Sequence, residues 1–428
     1  MSLALRAGAC ALIAGVSLWA AWPGLHAPVP AGLVPPAGAA AADGAGAAQP
    51  LFASAIASAV SPPRVHAASV TELADGRLYA TWFGGEREGG EEVKIYGARF
   101  DPASGAWGEQ HIVASPESTS ADLGYFVRKV GNPVTFTTPG GELWLVYVSV
   151  SMGGWATSHL NLMRSTDKGA SWLPAQRLVT SPFFNLSTLV KAYPVFYANG
   201  DIGLPVYHEM GGKFAELLLL SPSGEVKQKV RMDHGRRSLQ PVMLVQDEQR
   251  AVALLRYGAE ESLYRAWRIE TKDAGRSWSG VEATDLPNPN SALAALRMED
   301  GRMLAVANDT EDERLRLSLL VSEDEGRHWR AIHRFEDRSD SAGKPLDVAS
   351  FRSRLAGDLP ALGPGPAAEA VAEVAERNLC RDGGNCSWQY DYPYLIQARN
   401  GDYHLVYTWN RSFVRHIRFN RAWLEERL

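Results

Sequence analysis

A tyrosine, a group of glutamates and an arginine are the residues of this 428-residue sequence best suited to do chemistry on a polar ligand. Tyr392 begins an apolar run, and a phenol acts as a nucleophile when its proton is removed. Glu88, Glu91 and Glu92 lie in a glycine-rich segment and can supply an acid or a base, although such an acidic turn is also often simply solvated. Arg256 ends an apolar run, so its guanidinium requires solvent or an anionic ligand.

Further polar side chains stand where apolar runs begin or end, and these are the candidates for binding the ligand. They are His66, Arg87, Asn132, Arg237, Gln240, Asn290 and Arg411. Amide and guanidinium groups of this kind suit a ligand that carries hydroxyl groups and an acidic group.

A repeated turn motif indicates which elements position these residues. The pattern S/T-x-D-x-G-x-x-W occurs at Ser165–Trp172, Thr271–Trp278 and Ser322–Trp329, and a degenerate copy spans Asp101–Trp107. In such a hairpin the aspartate side chain caps the turn, the glycine takes a positive φ and the tryptophan packs beneath it. We therefore expect a structural role for this Asp box rather than contact with the ligand.

A second repeat runs in phase with the first. Six β-rich runs begin with a polar or aromatic residue, and most reach an Asp-Gly, Asn-Gly or Gly-Gly turn. The starting residues are His66, Asn132, Tyr193, Gln240, Ser291 and Tyr392. The near-constant spacing from run to Asp box is that of a four-stranded blade, which predicts an all-β, six-bladed β-propeller over residues 51–428. Because the first strand of each blade lies innermost, the six residues should ring one mouth of the central channel.

The interval between the runs that begin at Ser291 and Tyr392 is too long for one blade. Residues 337–388 lack the strand pattern and include a helical segment at Pro366–Arg377. This insertion before the last blade is either a surface embellishment or a wall of the site. Cys380 and Cys386 suit a disulfide in an oxidising compartment, or else they remain free thiols. The last blade runs out of chain, and residues 51–60 are predicted to supply its fourth strand.

The amino-terminal segment predicts export from the cytoplasm. Residues 1–22 are predicted to form a cleaved signal peptide or an uncleaved anchor. Residues 23–50 are rich in Ala, Pro and Gly and are predicted to form a flexible linker. We expect a periplasmic or secreted protein, or one attached to the inner membrane by this segment alone. A net charge of −5 does not provide the basic surface that nucleic acid requires. With no nucleotide, P-loop or zinc motif in the sequence, no cofactor and no metal site are expected.

These motifs resemble the sialidase/neuraminidase superfamily, and more closely its bacterial BNR-repeat, sialidase-like members. The segments that carry the closer resemblance are Trp82–Gly89, Asn132–Val134, Leu286–Ser291, Tyr392–Tyr394 and Tyr407–Arg411. The resemblance implies retaining hydrolysis of a terminal sialic acid by a tyrosine nucleophile, an activating glutamate, an acid/base aspartate and an arginine clamp on the carboxylate. It implies that Tyr392 is the nucleophile and Arg256 one of the arginines.

This sequence departs from the pattern of the family at several positions. Gln240 replaces the activating glutamate, and an amide cannot take the proton of a phenol. His66 stands at the first arginine, and only Glu88, Glu91 and Glu92 are available where the aspartate is expected. A further arginine is expected within the insertion. The departures weaken the case for sialic acid and leave another anionic sugar, such as a uronic acid, as a substrate.

Three hypotheses follow, all with an anionic glycan as the partner. The first is an exo-glycosidase in which Tyr392 and a glutamate of the acidic segment are catalytic. The second is a polysaccharide lyase in which His66 and Tyr392 move protons while Arg256 neutralises a uronate. The third is a propeller that binds glycans without catalysis.

Overall fold

Six antiparallel sheets follow one another around a ring, which confirms the predicted six-bladed β-propeller. The computed structural model describes residues 31–36, 49–87, 89–181, 185–258, 264–380 and 384–428. Structural statements below concern these residues. The predicted signal or anchor segment, most of the predicted linker and Glu88 lie outside them.

The blades are numbered in chain order, and strand β1 (Phe52–Ile56) belongs to the last of them. Blade 1 contains β2 (Arg64–Glu72), β3 (Leu78–Gly85), β4 (Lys94–Asp101), β5 (Ala106–Trp107) and β6 (His111–Ala114). Helix α1 (Pro116–Leu123) leads to blade 2, which contains β7 (Lys129–Thr137), β8 (Leu143–Val150), β9 (His159–Ser165) and β10 (Gln176–Arg177). Blade 3 contains β11 (Leu189–Val190), β12 (Val195–Phe196), β13 (Ile202–His208), β14 (Phe214–Leu220) and β15 (Val226–Arg231).

The second half of the ring includes the insertion. Blade 4 contains β16 (Ser238–Val245), β17 (Ala251–Tyr257), β18 (Arg265–Thr271) and β19 (Glu282–Pro287). Blade 5 contains β20 (Ala294–Arg297), β21 (Met303–Ala307), β22 (Arg316–Ser322) and β23 (Arg330–Asp337). Helices α2 (Val348–Asp358) and α3 (Ala368–Leu379) form the insertion, and blade 6 contains β24 (Tyr390–Gln397), β25 (Tyr403–Trp409), β26 (Phe413–Phe419) and β1, followed by α4 (Arg421–Glu425).

The Asp boxes form the predicted capped turns. In the first box, Asp167 Oδ1 accepts from the Ser171 amide at 2.8 Å, and Gly169 has a φ of 81°. The same contacts recur at Asp273 and Asp324. These turns follow third strands, whereas the inner strands begin at the opposite face, so the boxes lie away from the mouth of the channel.

Four inner strands share a β-bulge near their first residues. Strands β2, β7, β16 and β24 each lose register with their neighbours at this point. A residue within each bulge has a positive φ, namely Ala67 (51°), Asn132 (44°), Gln240 (49°) and Tyr392 (54°). A bulge redirects a side chain out of the regular pleat, which explains how these strands present groups to the mouth. His66 precedes its bulge, so Ala67 is the structural equivalent of the other three residues.

The prediction that Tyr193 and Ser291 lie at the mouth is wrong. The inner strand of blade 3 is split into β11 and β12, and Tyr193 falls between them, where its ring is 6.5 Å from that of Tyr394 inside the channel. Just ahead of the inner strand of this blade, Ser187 has a positive φ (59°). Just ahead of the inner strand of blade 5, the positive φ belongs to Asn290 (51°), and Ser291 is fully buried.

The ring closes through the amino-terminal strand, as predicted. Strand β1 pairs with β26, and Ile56 stands opposite Arg415. The Arg415 guanidinium is buried, forms an ion pair with Glu336 of blade 5, and donates from Nε to Ser54 Oγ at 3.0 Å. It also donates from Nη2 to the Ala361 carbonyl of the insertion at 2.9 Å. One buried cation therefore connects the closing strand, two blades and the insertion.

The insertion packs on blades 5 and 6 as part of their core. Phe351 and Leu379 are buried in the same apolar cluster as Ile56 of the closing strand. The predicted helical segment corresponds to α3, and Cys380 and Cys386 form a disulfide directly after it. The disulfide therefore fixes the chain a few residues before the strand that carries Tyr392.

The predicted flexible linker needs a correction for residues 31–36. Leu33 is only 1% exposed, and its amide donates to the Glu248 carbonyl at 2.7 Å. The Val34 amide donates to the Phe196 carbonyl at 2.8 Å. The apolar Leu33 side chain thus gives this short segment a site between blades 3 and 4. No described helix is long and apolar enough to cross a membrane.

Replacing Arg415 tests the closure of the ring. Arg415→Met leaves the buried Glu336 carboxylate without its cation, so the free energy of unfolding should fall by about 3–5 kcal/mol. Urea denaturation measures the change. Arg421, 54% exposed and paired with Glu299 at 3.5 Å, provides the control. Arg421→Met should change stability by less than about 1 kcal/mol, and an equally small effect of Arg415→Met would contradict the proposed clamp.

Two buried histidines between blades 6 and 1 predict how stability depends on pH. His404 Nδ1 lies 3.0 Å from His416 Nε2, and the Trp107 indole donates to His416 Nδ1 at 3.2 Å. Burial is the main cause that lowers the pKa of His404 to about 3 and that of His416 well below its usual value of 6.5. Both rings therefore stay neutral in the folded protein at pH values where they are protonated in the unfolded chain.

Stability should decrease as the pH falls below about 6.5, because the unfolded chain then binds protons that the folded protein cannot. Most carboxylates remain ionised down to about pH 5. The change in stability between about pH 6.5 and pH 5 therefore comes mainly from the histidines. Urea unfolding at several pH values gives the slope. The double variant His404→Gln/His416→Gln should make the slope shallower but not abolish it, because burial also lowers the pKa of His333, to about 4. A flat profile in the wild type would rule out this role of the pair.

Candidate functional site

The Tyr392 phenol lies at the mouth of the channel with two donors on its oxygen. The guanidinium of Arg256, from the end of β17, donates from Nη1 at 3.0 Å, and Gln240 Nε2 lies at 3.3 Å. Arg256 is fixed by Asn290 Oδ1, 2.8 Å from Nε, and by Gln240 Oε1, 3.0 Å from Nη1. Such fixed donors stabilise negative charge on the phenol oxygen. Gln240 and Arg256 thus meet at the Tyr392 oxygen, and Asn290 holds Arg256 in place.

The imidazole of His66 packs against the ring of Tyr392. Their centroids are 4.2 Å apart, and the edge of Phe83 supports the imidazole from 5.6 Å. His66 reaches the tyrosine from β2, immediately before the bulge of that strand. The structure therefore brings together the pair that the sequence suggested as proton carriers.

The further arginine near Tyr392 comes from blade 5 rather than from the insertion. Arg314 precedes β22, and its guanidinium lies 5.8 Å from the centroid of the Tyr392 ring. It donates to Asp391 Oδ1 at 2.6 Å and to the Asn290 carbonyl at 2.8 Å. The expectation of an arginine within the insertion is wrong for the described residues. The signal available in the sequence was that Arg314 stands directly before Leu315, at the start of the run that leads into β22.

Tyr207 and Glu209 form a second layer behind Gln240. The Tyr207 hydroxyl accepts from Asn132 Nδ2 at 3.2 Å and from Gln240 Nε2 at 3.4 Å. Burial raises the pKa of the Glu209 carboxyl, although Arg256 acts in the opposite direction. Glu209 is therefore a half-buried acidic group of this second layer, and the sequence analysis did not select it. Its only signal was its position directly after β13.

Lys191 lies beneath the tyrosine on the channel axis. The side chain is only 4% exposed, and Nζ is 4.9 Å from the centroid of the Tyr394 ring and 5.7 Å from that of Tyr392. Its hydrogen bond is a long one, 3.4 Å to the Pro393 carbonyl. Burial lowers the pKa of Lys191 to about 7.

A cavity of about 500 Å³ opens beside Tyr392, between blades 5, 6 and 1 and the insertion. Its volume is typical of ligand pockets. The side chains that bear on its chemistry include Arg64, His66, Arg87, Arg314, Tyr392 and Arg411. Ser387 and Trp388 also line it. The end of the insertion, at Ser387 and Trp388, thus forms part of the cavity wall.

Glu91 and Arg237 do not line the cavity, and neither do Asn132, Gln240, Arg256 and Asn290, which belong instead to the hydrogen-bonded group around Tyr392 and Tyr207. Glu91 is exposed. Arg237 is also exposed, and its carbonyl accepts from the Gly258 amide at 2.6 Å at the rim of blade 4. Both follow glycine-rich or polar turns, whose direction depends on neighbouring blades. Within the described ranges, no group of His, Cys, Asp or Glu side chains is arranged to hold a metal ion.

Comparison with known proteins agrees with this fold. The family model of the BNR repeat-like domain matches residues 76–405, and the chain belongs to this family. No curated protein matches the chain significantly.

Solved structures of similar architecture include sialidases. The Hadza microbial sialidase has 15% identity and a TM-score of 0.61, over 85% of this chain and 66% of its own, so this chain spans slightly less than two thirds of its length. The leech intramolecular trans-sialidase has 10% identity and a TM-score of 0.60, over 87% and 70%. A Dyadobacter fermentans protein of unknown function has 12% identity and a TM-score of 0.60, over 86% and 98%. At these identities the similarity establishes the sialidase-like propeller fold.

Lys191→Met should increase the free energy of unfolding at pH 7 by roughly 1 kcal/mol or more, because the apolar side chain removes the penalty of burying an ammonium group. Urea denaturation measures the gain. Lys272, which is 76% exposed, is the matched control, and Lys272→Met should have little effect. An unchanged or lower stability of Lys191→Met would contradict the prediction.

Proposed function

We propose that the protein is a glycan-active enzyme that hydrolyses a terminal anionic sugar, with Tyr392 as the nucleophile. The observation that carries this proposal is the contact of Arg256 with the phenol oxygen, beside a cavity that contains further arginines. Arg256 and Arg314 are the proposed partners of the acidic group of the sugar. The similarity in fold to sialidases supports the reaction class.

In the proposed reaction the Tyr392 oxygen bonds to the anomeric carbon as the bond to the leaving oxygen breaks. Gln240 cannot accept the phenol proton, which passes to water in the open cavity, and Arg256 stabilises the charge left on the phenol oxygen. The leaving oxygen takes its proton from a carboxyl group. Of the described carboxyl groups, Asp312 and Glu313 line the cavity and are the candidates for this acid, and Glu88 remains a prediction. Water then attacks the anomeric carbon and releases the tyrosine.

A polysaccharide lyase is the second candidate, favoured by the packing of His66 against Tyr392. One of the pair would remove the proton α to a uronate carboxylate, and the other would protonate the leaving oxygen as the C–O bond breaks and a C=C bond forms. Arg256 or Arg314 would neutralise the carboxylate. The product would carry a double bond, which hydrolysis never creates.

We place the protein outside the cytoplasm, in the periplasm or secreted. The Cys380–Cys386 disulfide supports this location, because such bonds persist in oxidising compartments. The predicted signal or anchor over residues 1–22 is in keeping with it.

Tyr392→Phe tests both catalytic hypotheses. Wild-type protein is incubated with sialosides and with uronate oligosaccharides, and the release of reducing sugar is measured beside ultraviolet absorbance. Hydrolysis gives sugar without absorbance, whereas a lyase gives both. Tyr392→Phe should lower the rate by roughly 100-fold or more, because the reacting oxygen is removed.

Tyr96→Phe is the control, since that partly buried residue of β4 lies away from the cavity, and it should retain the wild-type rate. Full activity of Tyr392→Phe would exclude both mechanisms. Wild-type protein that binds these glycans without cleaving any of them would instead be a non-catalytic binding propeller.

A further inference from the structure

Three arginines near Tyr392 share an uncommon environment. Each guanidinium is held at Nε by the oxygen of a neutral amide side chain. The pairs are Arg256–Asn290 at 2.8 Å, Arg64–Asn378 at 2.9 Å and Arg411–Gln389 at 2.6 Å. An amide oxygen orients the guanidinium and leaves its full charge available to a ligand.

Many arginines elsewhere in the propeller are paired with carboxylates instead. Arg316 contacts Asp309 at 2.7 Å, and Arg418 contacts Asp402 at 2.6 Å. Among the described residues, neither Arg64 nor Arg411 makes an ion pair with a carboxylate. Positive charge that is oriented but not neutralised is therefore concentrated around this cavity.

Arg64 and Arg411 are neighbours at the junction of blades 6 and 1. The Val65 amide, next in sequence to Arg64, donates to the Arg411 carbonyl at 3.3 Å. Both side chains line the cavity, whereas Arg256 contacts Tyr392 without lining it. Arg256 therefore lies on the inner side of Tyr392, and Arg64 and Arg411 lie on its outer side, toward the cavity. We call Arg64 and Arg411 the outer pair.

The insertion and the residue that follows it orient this outer pair. Asn378 belongs to α3, and its amide nitrogen is itself fixed by Ser412 Oγ at 2.9 Å. Gln389 directly precedes β24, and its Nε2 donates to Asp391 Oδ2 at 2.5 Å. Both orienting amides have their second functional group occupied, so the positions of the two guanidiniums are defined before a ligand arrives.

The side of the cavity formed by blade 5, away from Arg64 and Arg411, carries negative charge. Asp312 and Glu313, in the segment before Arg314, line it and are exposed. They would repel an acidic group, which favours the side of Arg64 and Arg411. An acidic ligand therefore has one preferred orientation.

From these observations we propose that Arg64 and Arg411 form a second anion subsite, which binds the carboxylate of the sugar unit adjoining the one at Tyr392. The substrate class is an oligosaccharide with carboxylates on neighbouring units, that is, a uronate chain. This inference rests on the proposed function, and it names the substrate. Asn378 of the insertion and Gln389, the residue between the insertion and β24, give the propeller this specificity by orienting the two arginines.

The test compares two trisaccharides that differ in the number of carboxylates. Trigalacturonate carries a carboxylate on every unit, whereas 3′-sialyllactose carries it only on the terminal sugar. Titration calorimetry on the Tyr392→Phe protein measures binding without cleavage. This protein should prefer trigalacturonate. Adding Arg64→Gln or Arg411→Gln should reduce that preference about 10-fold or more, the effect expected for a charge-assisted hydrogen bond.

Arg352→Gln in the same background is the matched control. Arg352 is exposed on α2 and pairs with Glu376 within the insertion, so the preference should not change. An equal loss of affinity for both trisaccharides would overturn the subsite. Absence of any preference for trigalacturonate, or binding of neither ligand, would do the same. Two independent variants, each checked by its melting temperature, guard against a folding defect in one.

Different experimental results would contradict the subsite and the proposed function. If wild-type protein cleaves neither trisaccharide but the variants lose the preference, the catalytic proposal fails and the subsite stands. If wild-type protein cleaves 3′-sialyllactose and shows no preference for trigalacturonate, the subsite fails and hydrolysis stands.

Discussion

The site depends on the closure of the propeller ring. Blade 6 carries Tyr392 on its inner strand and takes its outer strand from Phe52–Ile56, at the other end of the described propeller. The pairing is completed by Arg415, whose buried guanidinium also contacts Glu336 and the insertion. A break at this point would loosen the blade that positions the tyrosine and, with it, the junction where Arg64 and Arg411 meet.

Within the closed ring, local backbone geometry selects the side chains that face the ligand. A residue with positive φ outside glycine is strained by about 1–3 kcal/mol, and the inner strands contain four of them at bulges. Side-chain contacts between blades compensate for this strain. Asn132 and Gln240 both donate to Tyr207, and Gln240 also reaches Tyr392, so four blades are linked through polar groups. The bulges, the amides and the phenol therefore form one connected unit.

The sequence predicted the features that short segments determine. Asp boxes, tight turns and the phase between them depend on a few neighbouring residues, and they indicated the six blades and the position of Tyr392. Arg256 was recognisable because a charged residue ends its apolar strand. Arg314 was missed because its role depends on the contact between blade 5 and Asp391 of blade 6. No pattern of neighbouring residues in the sequence indicates this contact. Tyr193 was misplaced because its strand is interrupted, and Leu33 was overlooked because a single large apolar residue in a stretch rich in Ala, Pro and Gly gives no periodic signal.

The segment Ala31–Pro36 also shows at which face of the propeller this part of the chain lies. It rests against the hairpin turns at the ends of the inner strands of blades 3 and 4, on the face opposite the cavity. The described chain therefore enters the propeller on the Asp-box face, and the cavity opens on the other face, so the bulk of the propeller separates the chain entry from the site.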